Sequence, residues 1–81
     1  MSATGAEPLV VDARELLCPL PVIELARAAR DAGPGATLTV LVTDAAARHD
    51  VPAWARLRGH AFVGISELPG GALAITVRTH N

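Results

Sequence analysis

The stretch Pro19-Leu20-Pro21-Val22-Ile23-Glu24-Leu25-Ala26-Arg27-Ala28-Ala29-Arg30-Asp31-Ala32-Gly33-Pro34-Gly35-Ala36-Thr37-Leu38-Thr39-Val40-Leu41-Val42-Thr43 decides the fold, because its apolar period changes once along its length. From Pro19 to Ala32, the side chains of Val22, Leu25, Ala26 and Ala29 share one face at helical spacing, with Glu24, Arg27 and Asp31 opposite. Gly33-Pro34-Gly35 stops that helix, and Arg27 and Arg30 near its C-terminal end suit the macrodipole. From Ala36 to Thr43 the period becomes two. Leu38, Val40 and Val42 take one face, while Thr37, Thr39, Leu41 and Thr43 take the other, which is a strand with one buried side.

Upstream, Leu9-Val10-Val11 is a first strand ending near Asp12-Ala13, and residues 1–7 read as a flexible tail. Downstream, Asp44 is placed to cap a turn through Ala45-Ala46-Ala47. Asp50 is a second cap, for a helix that carries Pro52 in its first turn and runs to Arg58 before Gly59. Trp54 and Leu57 then lie three apart on the inner side of that helix. Ala61 to Leu68 and Ala72 to Thr79 are two more strands, joined by the turn residues Pro69-Gly70-Gly71. The order βαβαββ predicts an α+β fold, a two-layer sandwich with a mixed four-stranded sheet and two helices on one face. Residues 8–81 are expected to form a single domain.

Composition narrows the chemistry. Of 81 residues, 51% are hydrophobic, and Trp54 and Phe62 are the only aromatics, so the core must be built from Val, Leu, Ile and Ala. The net charge is −1 and all seven basic residues are arginine, so no lysine is available for a Schiff base. That balance leaves no electrostatic footprint for direct nucleic-acid binding. No apolar run approaches a membrane span and no signal peptide is visible, so a cytoplasmic protein without a membrane partner is expected. In a reducing compartment the lone cysteine, Cys18, stays free for chemistry; it can form neither an internal disulfide nor a Cys-only metal site.

Cys18 lies directly before the first helix, at its N-cap or just outside it. Pro19 suits the first helical position, and Pro21 falls where N–H groups lack intrahelical partners anyway, so both prolines stiffen the backbone at the helix N-terminus. A helix N-terminus offers free N–H groups and partial positive charge, which favour thiolate and lower a cysteine pKa below its free value of about 8.5. A thiolate attacks persulfide or disulfide sulfur. The plainer reading is that Cys18 is a small buried hydrophobe, as many free cysteines are.

Asp12-Ala13-Arg14 followed by Cys18-Pro19-Leu20-Pro21 resembles the signature of the TusA/SirA-like sulfur carriers, in which an Asp-x-Arg-Gly turn precedes Cys-Pro-x-Pro at the start of the first helix. Gly33-Pro34-Gly35, Asp44, Asp50-Val51-Pro52-Ala53-Trp54 and Gly59-His60 extend the resemblance over roughly residues 9–78. It implies a TusA-like βαβαββ domain whose Cys18 accepts persulfide sulfur. The donor would be a protein such as a cysteine desulfurase or a rhodanese, and the sulfur would pass to a downstream acceptor protein. The family's uses include tRNA thiolation, molybdenum cofactor synthesis and sulfur oxidation. Such a sulfurtransferase of the carrier type needs no metal and no organic cofactor. The alternative on the same fold is a non-catalytic protein-binding or thiol-sensing regulatory module.

One position departs from the pattern. Glu15 stands where the family has Gly, so a positive φ there would be strained, and a carboxylate near Cys18 would oppose the thiolate. Arg14 is either a stabiliser of the Cys18 anion or a solvated loop arginine. Leu20, on the polar side of the helix, is a candidate docking residue, with Leu16 and Leu17 either joining that rim or turning into the core. His49 and His60 are candidate acid–base groups, or ordinary loop histidines. Asp12 reads as a turn former, and Trp54 as a core anchor.

Overall fold

The computed structural model describes residues 8–80, so the expectation of a flexible tail over residues 1–7 lies outside the described residues. The elements follow in the expected order: β1 (Leu9–Ala13), α1 (Leu20–Ala32), β2 (Thr37–Val42), α2 (Ala47–Arg58), β3 (Ala61–Glu67) and β4 (Leu73–Arg78). A short 3-10 turn at Pro69–Gly71 closes the β3–β4 hairpin.

The sheet order is β1-β2-β4-β3. β1 runs parallel to β2, with Val11 beside Val40 and Ala13 beside Val42. β4 is antiparallel to both β2 and β3. Each helix is a crossover, and both pack on the same face: α1 over β1 and β2, α2 over β3 and β4. The result is the two-layer α+β sandwich that the alternation of periods predicts.

The core follows directly from those periods. Leu38, Val40 and Val42 of β2 and Leu73, Ile75 and Val77 of β4 point into the layer between sheet and helices, and all are buried. Leu25 and Ala29 of α1 meet them, together with Pro21, whose ring is fully buried. Pro21 is therefore a packing residue as well as a stiffener of the helix start. Across the solvent face of the sheet, the Thr39 and Thr76 hydroxyls hydrogen-bond at 2.8 Å between paired strands. The buried Thr79 ties the chain end to the Gly33-Pro34-Gly35 connection, donating to Gly33 C=O at 2.6 Å and accepting from Ala36 N–H at 2.8 Å.

α2 differs from the expectation in start and in facing. Asp44 Oδ1 accepts the Ala46 N–H at 3.0 Å, and the next N–H groups bond three residues back, so the helix is under way by Ala47. Asp50 is thus in the first turn, not before it. The inner face is Ala47, Val51 and Ala55, at spacings of four, and all three are buried. That register turns Leu57 outward, 85% exposed, and leaves Trp54 half-buried at the core edge. Trp54 also stacks at a tilt on His60, with ring centroids 5.0 Å apart. Gly59 ends α2 in the left-handed region, and His60 N–H reaches back to Ala55 C=O at 2.8 Å, which satisfies a terminal carbonyl.

Candidate functional site

Two turns deliver Cys18 to the surface. The first follows β1, where Leu16 N–H bonds Ala13 C=O at 3.2 Å and Glu15, third in the turn, has φ +74°. A positive φ at that position is what glycine provides in a type II turn, so Glu15 carries the strain expected for a side chain there. Glu15 N–H donates to Thr43 Oγ1 at 2.9 Å and so ties the turn to the end of β2. The second turn carries the thiol: the Cys18–Pro19 peptide is cis, and Leu20 N–H bonds Leu17 C=O at 2.8 Å. Leu16 turns in against the core, while Leu17 turns out, 71% exposed.

Pro19 is the N-cap rather than the first helical residue, so Cys18 stands one residue outside α1. The helix end has no N–H left for the sulfur. Leu20 N–H is spent on Leu17, Pro21 has none, and Val22 and Ile23 both bond Pro19 C=O. The expected stabilisation of a thiolate by free N–H groups is therefore absent, because the prolines and the preceding turn consume them.

Carboxylates occupy the place where positive charge was expected. Asp44 Oδ2 accepts the Cys18 backbone N–H at 2.8 Å. The Cys18 thiol donates to Asp50 Oδ2 at 2.7 Å. The bond to Asp50 is the largest influence on the thiol, followed by partial desolvation and by the charges of Asp50 and Asp44, and together they push the Cys18 pKa above its ordinary value. A hydrogen bond to the protonated form and two nearby negative charges act in the same direction. Asp44, in contrast, is held below the usual carboxylate range by the N–H groups of Ala46 and Cys18. At rest the site is a protonated thiol.

Arg14 does not meet the sulfur. Its Nε and Nη2 donate to Asp12 Oδ1 and Oδ2 at 2.9 and 2.8 Å, a two-point pair on the surface. Asp12 also accepts Arg14 N–H at 3.2 Å, as a turn former does, and the Arg14 guanidinium lowers its pKa to about 2. Arg14 is not among the groups that shift Cys18, and neither is Glu15. The carboxylates that oppose the thiolate are Asp50 and Asp44, both read from sequence only as helix caps.

Cys18 opens onto a cleft of about 590 Å³ between the start of α1 and the outer side of α2, lined by Pro19, Val22, Asp50, Ala53, Trp54, Leu57 and Arg58. Most of that lining is apolar, and its one arginine, Arg58, is the last residue of α2. Leu20 and Ile23 are also exposed, at 45% and 46%, so Leu17, Leu20 and Ile23 form an apolar rim on the α1 side. Neither His49 nor His60 lines the cleft, and His60 Nδ1 instead accepts the His80 N–H at 3.1 Å. Among the described residues no group of three His, Cys, Asp or Glu side chains is placed to hold a metal ion, and no helix is long and apolar enough to cross a membrane.

Residues 9–79 match the family model described as sulfurtransferase TusA. The chain is 39% identical over 67 residues to the sulfur carrier protein TusA of Pseudomonas aeruginosa, covering 83% of this chain and 85% of that one. A match to YrkF of Bacillus subtilis, 34% over 56 residues, spans 69% of this chain and 30% of that longer protein. The crystal structure of a SirA-like protein from Desulfitobacterium hafniense superposes with a TM-score of 0.81 at 27% identity, over 90% of this chain and 99% of that one. With the fold, the length of the match and the level of identity in agreement, this chain belongs to the TusA family of sulfur carriers.

Proposed function

We propose that the protein carries sulfur as a persulfide on Cys18, taking it from a donor protein such as a cysteine desulfurase or a rhodanese and passing it to an acceptor protein. The observation that carries this reading is the exposed thiol at the mouth of an open, largely apolar cleft. Sγ attacks the terminal sulfur of the donor persulfide; the donor S–S bond breaks and a new S–S bond forms on Cys18. The sum is thiol plus persulfide giving persulfide plus thiol, with no outside oxidant. A second thiol then takes the terminal sulfur from Cys18. The attack needs no metal or organic cofactor.

The apolar rim of Leu17, Leu20 and Ile23 supplies a surface for transient docking beside the reacting atom. A resting thiol held protonated by Asp50 fits a carrier that reacts within a complex better than a free sensor, because sensor cysteines are low-pKa thiolates. Incubation with a cysteine desulfurase and cysteine is expected to add the mass of one sulfur atom to the wild type and none to Cys18→Ser. Failure with every competent donor would return the chain to the alternative of a non-catalytic binding module.

A further inference from the structure

We propose that Asp50 is a catalytic residue of this site: its carboxylate takes the Cys18 proton as Sγ attacks and delivers it to the departing donor thiolate. The inference rests on the carrier reading and adds the fate of the proton to it.

The geometry points to Asp50 by contact and by exclusion. Its Oδ2 is 2.7 Å from Sγ, already joined through the thiol proton. Asp50 sits in the first turn of α2, where its neighbour Val51 is fully buried and anchors that turn to the core. On the other side, Asp44 Oδ2 holds the Cys18 backbone through its N–H at 2.8 Å, so both partners of the thiol–carboxylate contact are positioned by fixed groups. Among the described residues the charged groups bonded to Cys18 are Asp50 on α2 and Asp44 on the loop before it, and Arg58 at the C-terminal end of α2 also lines the cleft. On the α1 side, Pro19 at the N-cap and Val22 are the lining residues among those described. No histidine lines the cleft and the chain has no lysine, so among the described residues Asp50 is the one lining side chain able to accept a proton.

The Sγ–H bond breaks and its proton goes to Asp50 Oδ2. The Sγ electron pair bonds the terminal sulfur of the donor R–S–SH, and R–S⁻ leaves. Asp50 then gives its proton to R–S⁻, so Cys18 ends as the persulfide and the donor as the thiol. In delivery the same carboxyl group accepts the incoming thiol's proton and returns it to Sγ.

The test uses Asp50→Asn and two readouts that move in opposite directions. Removing the carboxylate frees the thiolate, so alkylation by iodoacetamide at neutral pH rises about threefold per unit by which the Cys18 pKa falls, and the pH profile shifts to lower pH. Single-turnover loading from glutathione persulfide, followed by intact mass, falls about 10²-fold, because the proton carrier is lost. Asp50→Glu keeps a carboxylate and is expected to load faster than Asp50→Asn, and where the amide variant fails to fold, Asp50→Ser takes its place in both comparisons. If Asp50→Asn accelerates both reactions, Asp50 only suppresses the thiolate and the proposal is overturned. Loading of Asp50→Glu no faster than that of a folded Asp50→Asn overturns it too. A wild type that takes no sulfur from any donor removes the carrier reading itself, a result separate from either of these.

Discussion

Replacing Glu15 by glycine should stabilise the protein and leave its thiol unchanged. Glu15 has φ +74° in the turn between β1 and Cys18. A side chain in the left-handed region costs about 1–2 kcal/mol, and glycine avoids that. Against this, glycine loses more backbone freedom on folding, about 0.5–1 kcal/mol relative to alanine. The Glu15 backbone N–H keeps its bond to Thr43 Oγ1 in either case. Its side chain makes no ion pair among the described residues, and its charge is only the smallest of the influences on Arg14, so little else is given up. The net gain is about 0.5–1 kcal/mol, which for a domain of this size raises Tm by roughly 3–6 °C. The assay is thermal unfolding followed by circular dichroism, with Glu15→Ala as the control. Alanine removes the carboxylate but keeps the strain, so it should leave Tm within about 2 °C of wild type. Equal stabilisation by alanine and glycine would mean that charge, not backbone conformation, is the cause, and would refute the reasoning. Iodoacetamide should alkylate Cys18 at the wild-type rate in Glu15→Gly, since Glu15 does not act on that thiol.

Three further outcomes test the packing, the electrostatics and the rim. Leu25→Ala, at a fully buried position, should cost about 2–5 kcal/mol in urea unfolding, whereas Leu57→Ala, on the outer side of α2, should change stability by less than about 0.5 kcal/mol. The Asp12 carboxyl, lowered to about 2 by Arg14, binds protons less readily folded than unfolded; its contribution is therefore present above the ordinary carboxylate pKa and lost as pH falls from about 4 towards 2. Asp12→Asn should flatten the acid end of a Tm-against-pH curve in that window and leave Tm differences constant above it. The double change Leu17→Ser with Leu20→Ser should preserve folding and loading from glutathione persulfide, yet slow loading from a donor protein at least severalfold, measured by intact mass over time.

The four strands and α1 were legible because their signals are local. Leu38, Val40 and Val42 alternate without interruption, and Leu25 and Ala29 are spaced by one helical turn, so the buried face could be read before any tertiary contact was known. The start of α2 was hidden for a physical reason. Ala45-Ala46-Ala47 carries no amphipathic contrast, and Asp50 before Pro52 imitates a cap, whereas the N-cap is Ala46, whose own N–H is held by Asp44. The expected start put Asp50 before the helix, and the facing read from Trp54 and Leu57 put Leu57 inside, where the buried side is instead Ala47, Val51 and Ala55.

The site was half legible for a related reason. Cys18 and its exposure at a helix start follow from the two prolines. Its chemistry does not, because the group that governs the thiol is 32 residues away along the chain and reaches it only once α2 has packed beside α1. Local spacing also made Arg14 a candidate for the sulfur, four residues upstream, when Asp12 was nearer and chemically better matched. Glu15 at the glycine position was the one departure visible in sequence. The structure bears out its strain and moves the opposing charge from Glu15 to Asp50 and Asp44.

The relay itself is the most direct test. Radiolabelled sulfur is loaded on the protein from labelled cysteine through a cysteine desulfurase, the desulfurase and free cysteine are removed, and a candidate acceptor protein with a free thiol is added. Label bound to Cys18, released by reductant, absent in Cys18→Ser and recovered on the acceptor is the predicted result. Label that never binds, or that binds equally well to Cys18→Ser, would contradict the account.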